Sequence, residues 1–162
     1  MIRLIAAIDS QSGVANDHGI PWQGKIPLDT RYFNDQTAEG IIVMGFRTYQ
    51  EFDKPLHDRQ NFVITKPGSE ELRTGFSGVT DLSALFDQHS DELVWVIGGA
   101  GLFADSLGRA DELYITQLDR DFHCTKFFPD FRDTFELTSE LGPHSENEIS
   151  FLFEIWRRSV SA

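Results

Sequence analysis

The segment LVWVIGGAGLFADSL, residues 93–107, constrains this chain more than any other. A short run of large and β-branched apolar residues reads as a strand buried on both faces. It breaks at Gly98-Gly99, after which Leu102 and Phe103 return to helical spacing. A buried strand that passes straight into a helix belongs to α/β architecture, because parallel strands need a crossover and helices usually supply it.

The rest of the chain repeats that grammar. Ile2 to Ile8 (IRLIAAI) reads as a buried strand, followed by a long polar loop, DSQSGVANDHG. The pattern predicts a helix from about Pro27 to Glu39, a strand over IIVMG (Ile41 to Gly45) and a short helix from Arg47 to Phe52. Strands follow at Asn61 to Thr65 and Phe76 to Thr80, then a helix at Leu82 to His89 and a strand at Glu112 to Leu118. Thr134 to Leu141 and Ile149 to Arg157 read as an antiparallel hairpin, with turn residues at Gly142-Pro143 and Glu146-Asn147. The expected fold is α/β: one domain over residues 1–162, with a central, mainly parallel eight-stranded sheet, an antiparallel C-terminal edge hairpin and about four flanking helices. At 162 residues and 40% hydrophobic composition, the chain can close such a core unaided.

Charge and cysteine usage remove several classes of function. The 14 Lys and Arg against 26 Asp and Glu leave a net charge of −12, and no basic run exists to replace the counterions of a nucleic acid or meet an anionic membrane. Cys124 is the sole thiol, so no intrachain disulfide forms, and no apolar run is long enough to span a bilayer. A soluble cytoplasmic protein, monomeric and without a metal, is expected. The five histidines show no zinc-like spacing.

Two features carry chemistry. The junctions at Gly45-Phe46-Arg47-Thr48 and Gly98-Gly99-Ala100-Gly101 place glycines where strands give way to helices, so that backbone N–H groups can approach a phosphate without lysines. The same residues serve equally as plain strand-to-helix turns. Asp29, Tyr32 and Phe33 stand at i, i+3 and i+4, which puts an acid on an aromatic helix face. Buried, that carboxyl is poised for proton chemistry; exposed, it merely complements the helix macrodipole.

The order of segments resembles the dihydrofolate reductase family over nearly the whole chain. MIRLIAAID is similar to the family's first strand, GIPWQGKIPLD to its mobile active-site loop and helix acid, and IIVMGFRTYQEF to its cofactor turn. PLHDRQNFVIT, VWVIGGAGLF and ELYITQLD with FFPDF match the later segments in sequence.

The resemblance implies NADPH as cofactor and dihydrofolate as substrate. It implies that Asp29 pairs with the 2-amino and N3 edge of the pterin, that Trp22 holds a water, and that Thr116 hydrogen-bonds Asp29. Ile5 and Ile97 would offer carbonyls to the pterin, while Ala6, Ile20, Phe33, Phe52 and Leu56 wall the ring and the benzoyl group. Arg59 would receive the glutamate carboxylate. Ala7 and Val14 would meet the nicotinamide, with Ile20 and Ile97 beside it. Gly45, Phe46, Thr48, Gly98, Gly99, Ala100, Gly101, Leu102 and Phe103 would line the diphosphate region. Arg47, Thr65 and Lys66 would face the 2′-phosphate, with residues 40–90 forming the adenosine-binding part. Arg47, Arg59 and Lys66 are thereby expected to make a positive cleft in an acidic shell. The family's cis peptide is expected at Gly98-Gly99.

Departures accompany the match. Phe46 and Gly101 stand where the family commonly has cations. Two residues are inserted within Gln23 to Pro27, lengthening the gate expected over Gln11 to Trp22. Cys124 replaces the family's loop aspartate and is a poor acceptor. A pyrimidine reductase of riboflavin synthesis, which shares the cofactor turn, and a catalytically silent folate-binding module are the competing readings.

Overall fold

Parallel pairing organises the molecule around the strand that opens the chain. The computed structural model describes residues 1–160, so the end of the expected 1–162 span lies outside the described residues. The strands are β1 (Ile2–Ile8), β2 (Gly13–Ala15), β3 (Ile41–Met44), β4 (Gln60–Ile64), β5 (Phe76–Val79), β6 (Val94–Val96), β7 (Glu112–Leu118), β8 (Lys126–Phe127), β9 (Phe135–Glu146) and β10 (Ile149–Arg158). The helices are α1 (Pro27–Gln36), α2 (Phe46–Gln50), α3 (Leu82–Gln88) and α4 (Ala100–Ser106), the last running into a 3₁₀ turn at Leu107–Arg109.

Eight strands form one sheet in the order β5-β4-β3-β6-β1-β7-β10-β9. All neighbours from β5 to β7 pair in parallel, and β10 is antiparallel to both β7 and β9. The unbroken apolar runs read from the sequence are the central strands: every residue of β3 and β6 is buried, as expected where helices or loops cover both faces.

Four local differences separate the structure from the pattern reading. The long loop after β1 contains β2, which pairs with β8 in a small separate sheet. Three residues opposite two leave too little periodicity to read. Helix α1 stops at Gln36: Thr37 is its C-cap, at φ −89° and ψ 6°, and its hydroxyl adds to its amide a second hydrogen bond to the Phe33 carbonyl, at 2.7 Å. Helix α2 begins one residue earlier than expected, at Phe46. The hairpin turns at Asn147 and Glu148, both at positive φ (50° and 65°), the conformation a two-residue connection favours. Gly142-Pro143 lies inside β9, opposite a register shift between Phe151 and Phe153, and does not reverse the chain.

Candidate active site

The pairing of β3 with β6 sets two glycine junctions side by side. Val43 opposes Val96, so each strand delivers its glycine to the same end of the sheet. The Gly45 amide donates to the Gly98 carbonyl at 2.7 Å, and the Gly98–Gly99 peptide is cis. Helices α2 and α4 begin on Gly45 and Gly99, and neither has a side-chain cap. The surface here is bare backbone, and a Cβ added at Gly101 would meet nothing within 4 Å. Leu102 and Phe103 are buried in the main core, which leaves their backbone as what they can offer a ligand.

Asp29 stands in the first turn of α1. The Thr116 hydroxyl, on β7, donates to Asp29 Oδ1 at 2.6 Å. Burial pushes the Asp29 carboxyl up to about 6, the Thr116 hydrogen bond pulls it down, and the charge of Glu146 raises it again. Oδ2 has no hydrogen-bond partner among the described residues. Tyr32, one turn on, stacks on Phe153 with ring centroids 4.0 Å apart; its phenol is pushed up to about 12 by burial, Tyr114 and Asp29. The acid therefore sits on a covered face and not in bulk solvent.

The apolar residues singled out from the sequence divide among the clusters of the core. Ile5, Phe33, Phe52, Leu56 and Ile97 all belong to or pack against one cluster centred on Trp95 and Tyr114. Trp22 is buried edge-on against Phe122, at 5.1 Å, in a neighbouring cluster that also takes Ala7. Ala6 and Val14 join the main core, while Ile20 on the loop remains 39% exposed.

The cations are spread along the cleft and partly engaged. Arg59 gives Nε to the His57 carbonyl at 2.9 Å and Nη1 to the Thr37 hydroxyl at 2.8 Å. Partial burial lowers its pKa against the opposing charge of Asp58. Its Nη2 carries no hydrogen bond among the described residues. Thr65 and Lys66 line a concavity of about 560 Å³ at the β4–β5 edge, which Glu70 and Glu71 also line. The cleft is thus less uniformly positive there than the cations alone suggest. Phe46 is 46% exposed beside Tyr49.

Asp9, missed by the sequence reading, anchors the root of the loop. It is wholly buried, and Oδ1 accepts from the amides of Gly13 (2.7 Å) and Gln11 (2.9 Å) while Oδ2 accepts from Phe122 (2.9 Å). The Cys124 thiol also bonds to it, and burial with the Asp9 charge holds that thiol up to about 11. Asp9, directly after β1, thus ties the start of the loop to Phe122 and Cys124. An acid closing an otherwise apolar strand was the available signal. The inserted segment is also held down: Ile26 is buried against Ile149, Phe151 and Phe153, and the Asn147 side chain donates to the Lys25 carbonyl at 2.6 Å.

The family model described as dihydrofolate reductase matches residues 1–158. The chain belongs to the dihydrofolate reductase family. It is 32% identical to the dihydrofolate reductase of Bacillus subtilis over 169 aligned positions, covering 100% of this chain and 97% of the relative. It is 34% identical to a type 3 dihydrofolate reductase of Salmonella typhimurium over 132 positions, covering 81% and 80%. Among solved structures, the dihydrofolate reductase of Enterococcus faecalis, complexed with NADP(H) and RAB-propyl, superposes with a TM-score of 0.86. That pairing covers 99% and 97% of the two chains at 20% identity, and establishes a shared fold. Among the described residues, no helix of this family member is long and apolar enough to cross a membrane.

Proposed function

We propose that the protein reduces 7,8-dihydrofolate to 5,6,7,8-tetrahydrofolate with NADPH, Asp29 serving as the acid that binds and polarises the pterin. The observation that carries this reading is the Asp29 carboxyl, bound by Thr116 at 2.6 Å on the helix whose Tyr32 and Phe33 pack into an apolar cluster, together with two adjoining glycine junctions whose bare backbone suits a dinucleotide. Bound NADPH supplies the hydride.

The chain's own residues divide the remaining work. Gly45, Gly99, Ala100 and Gly101 present bare backbone at adjacent strand ends, which suits a diphosphate, with Arg47, Thr65 and Lys66 toward the adenosine end. Thr116 occupies one oxygen of Asp29 and orients the other toward the 2-amino and N3 edge of the pterin. That contact fixes the ring and raises the basicity of the imine nitrogen, N5, whose proton arrives through a water held by Trp22. Ile5, Phe33, Phe52, Leu56 and Ile97 keep the pocket dry, so the Asp29 charge acts at low dielectric. Arg59 meets the glutamate α-carboxylate with its free nitrogen. The loop from Gln11 to Trp22 closes over the rings from a root fixed by Asp9.

Absorbance at 340 nm with purified protein, NADPH and dihydrofolate tests the proposal. A steady loss that requires both ligands is expected; binding of both ligands without any loss would leave only a silent binding module.

A further inference from the structure

We propose that Glu146, at the tip of the β9–β10 hairpin, is a positioning residue for Asp29: it caps α1 from outside the helix and sets the charge environment of the site carboxyl. This rests on the reading of Asp29 as the acid of the site.

Helix α1 has no cap of its own. Its N-cap position is Ile26, whose side chain accepts nothing, and Pro27 follows. The Leu28 amide instead donates to Glu146 Oε1 at 2.8 Å, a bond between residues 118 positions apart. The neighbouring Asn147 fastens the same tip to the Lys25 carbonyl. The hairpin therefore grips the helix in the same first turn that carries Asp29. A carboxylate at that place does two opposed things. It satisfies an open helix amide and complements the macrodipole, which stabilises α1. It also places a like charge beside Asp29, which disfavours the ionised form.

The groups that bear on Asp29 are few. Thr116 faces it from β7, Tyr32 from the next turn of α1, and Glu146 from the hairpin. Thr116 favours the ionised carboxyl, whereas Glu146 and burial favour the protonated one. Of these, Glu146 alone lies on a hairpin tip, so hairpin position and site protonation are coupled.

Titrating the Asp29 side-chain carboxyl by NMR in the ligand-free protein tests this directly, in Glu146→Gln and Glu146→Ala variants. Glu146→Gln keeps an acceptor for the Leu28 amide while removing the charge. Its Asp29 midpoint is expected to fall by roughly half a pH unit, as for one like charge in a half-exposed setting. Glu146→Ala is expected to show the same fall together with a lower melting temperature from the lost cap. An unchanged midpoint in Glu146→Gln would reduce Glu146 to a structural cap and overturn the proposal. A midpoint that moves upholds it, whatever turnover does. A turnover profile that ignores the shift then counts against the role of Asp29 in protonation, and so separates the two readings.

Discussion

The Thr116 hydroxyl donates to Asp29 across 2.6 Å, so a strand of the central sheet holds a carboxyl carried by a peripheral helix. Register makes this possible. Thr116 pairs with Ala7 on β1 and with Phe153 on β10, and is itself buried. Thr116→Val preserves shape and removes the donor. The Asp29 midpoint is expected to rise above about 6, by roughly one unit, since hydrogen bonds to charged groups contribute about 1.5–3 kcal/mol before solvent screening. NMR titration of the carboxyl checks it; no rise would mean the hydroxyl does not favour the ionised form.

Asp29→Asn keeps an acceptor for Thr116 but cannot ionise. Turnover at pH 7 is expected to fall by roughly 10²–10⁴-fold, the range for a group that assists proton transfer. Stability moves the other way. Because the folded pKa lies above the ordinary aspartate value, the contribution of the protonated form is complete below pH 3.8 and lost as pH rises through about 6. The variant should therefore melt higher than the parent at pH 8, by on the order of 1–2 kcal/mol in stability, and approach it in acid. Parallel melting curves at both pH values would refute the burial argument.

Arg59→Leu removes a guanidinium while keeping bulk. The Michaelis constant for dihydrofolate is expected to rise by roughly 10- to 100-fold with little change in kcat, the cost of one charge-assisted contact. A pteroate analogue lacking the glutamate should bind parent and variant alike. Equal loss for both ligands would place Arg59 in the fold and not in recognition.

Asp9→Ala leaves the amides of Gln11, Gly13 and Phe122 without their acceptor. A loss of about 2–4 kcal/mol is expected in urea unfolding, from several orphaned amides. Gly13→Ala attacks the same knot from the other side, since its Cβ would stand 2.4 Å from Cys124 Cβ. Both variants should accelerate proteolysis within residues 10–22. Resistance equal to that of the parent would show that the loop root is anchored elsewhere.

Glu112 is expected to contribute to the acid limb of stability. Burial pushes its carboxyl up, but hydrogen bonds from Arg157 and Arg3, at 2.8 and 2.7 Å, outweigh this and hold it below the ordinary glutamate value. A depressed pKa means that the contribution is present above pH 4.5 and is lost as pH falls through the folded value. Glu112→Gln is expected to cost about 1–3 kcal/mol at pH 7 and to flatten the unfolding profile in acid. An acid limb unchanged in the variant would assign that limb to other carboxyls.

Much of the site was legible as local pattern. The apolar runs that became β1, β3, β6 and β7 were readable because strands covered on both faces have no polar alternation to obscure them. The glycine junctions were readable because the chain needs bare backbone where β3 and β6 hand over to helices. Position 29 was readable as an acid on an aromatic face, but its protonation was not, since that depends first on burial and then on Thr116 and Glu146, far away in sequence. The same limit left the hairpin turn, read at Gly142-Pro143 and Glu146-Asn147, one residue short of its place at Asn147-Glu148. Gly142-Pro143 has the composition of a turn, and Gly142 itself has a positive φ of 128°, yet the chain reverses at Asn147 and Glu148, because pairing with β10 sets the register.

Sequence order alone determined the class of sheet, the family resemblance and the identity of the residues able to do chemistry, since these follow from hydrophobic period, glycine placement and motif succession. Tertiary structure decided what those residues experience. Asp9 became an anchor of the loop root, Ile26 tied the segment before α1 to the core, and Glu146 reached 118 positions back to cap α1 beside Asp29. Burial, hydrogen bonding and nearby charge are properties of neighbours in space, and only the folded chain specifies which residues become neighbours.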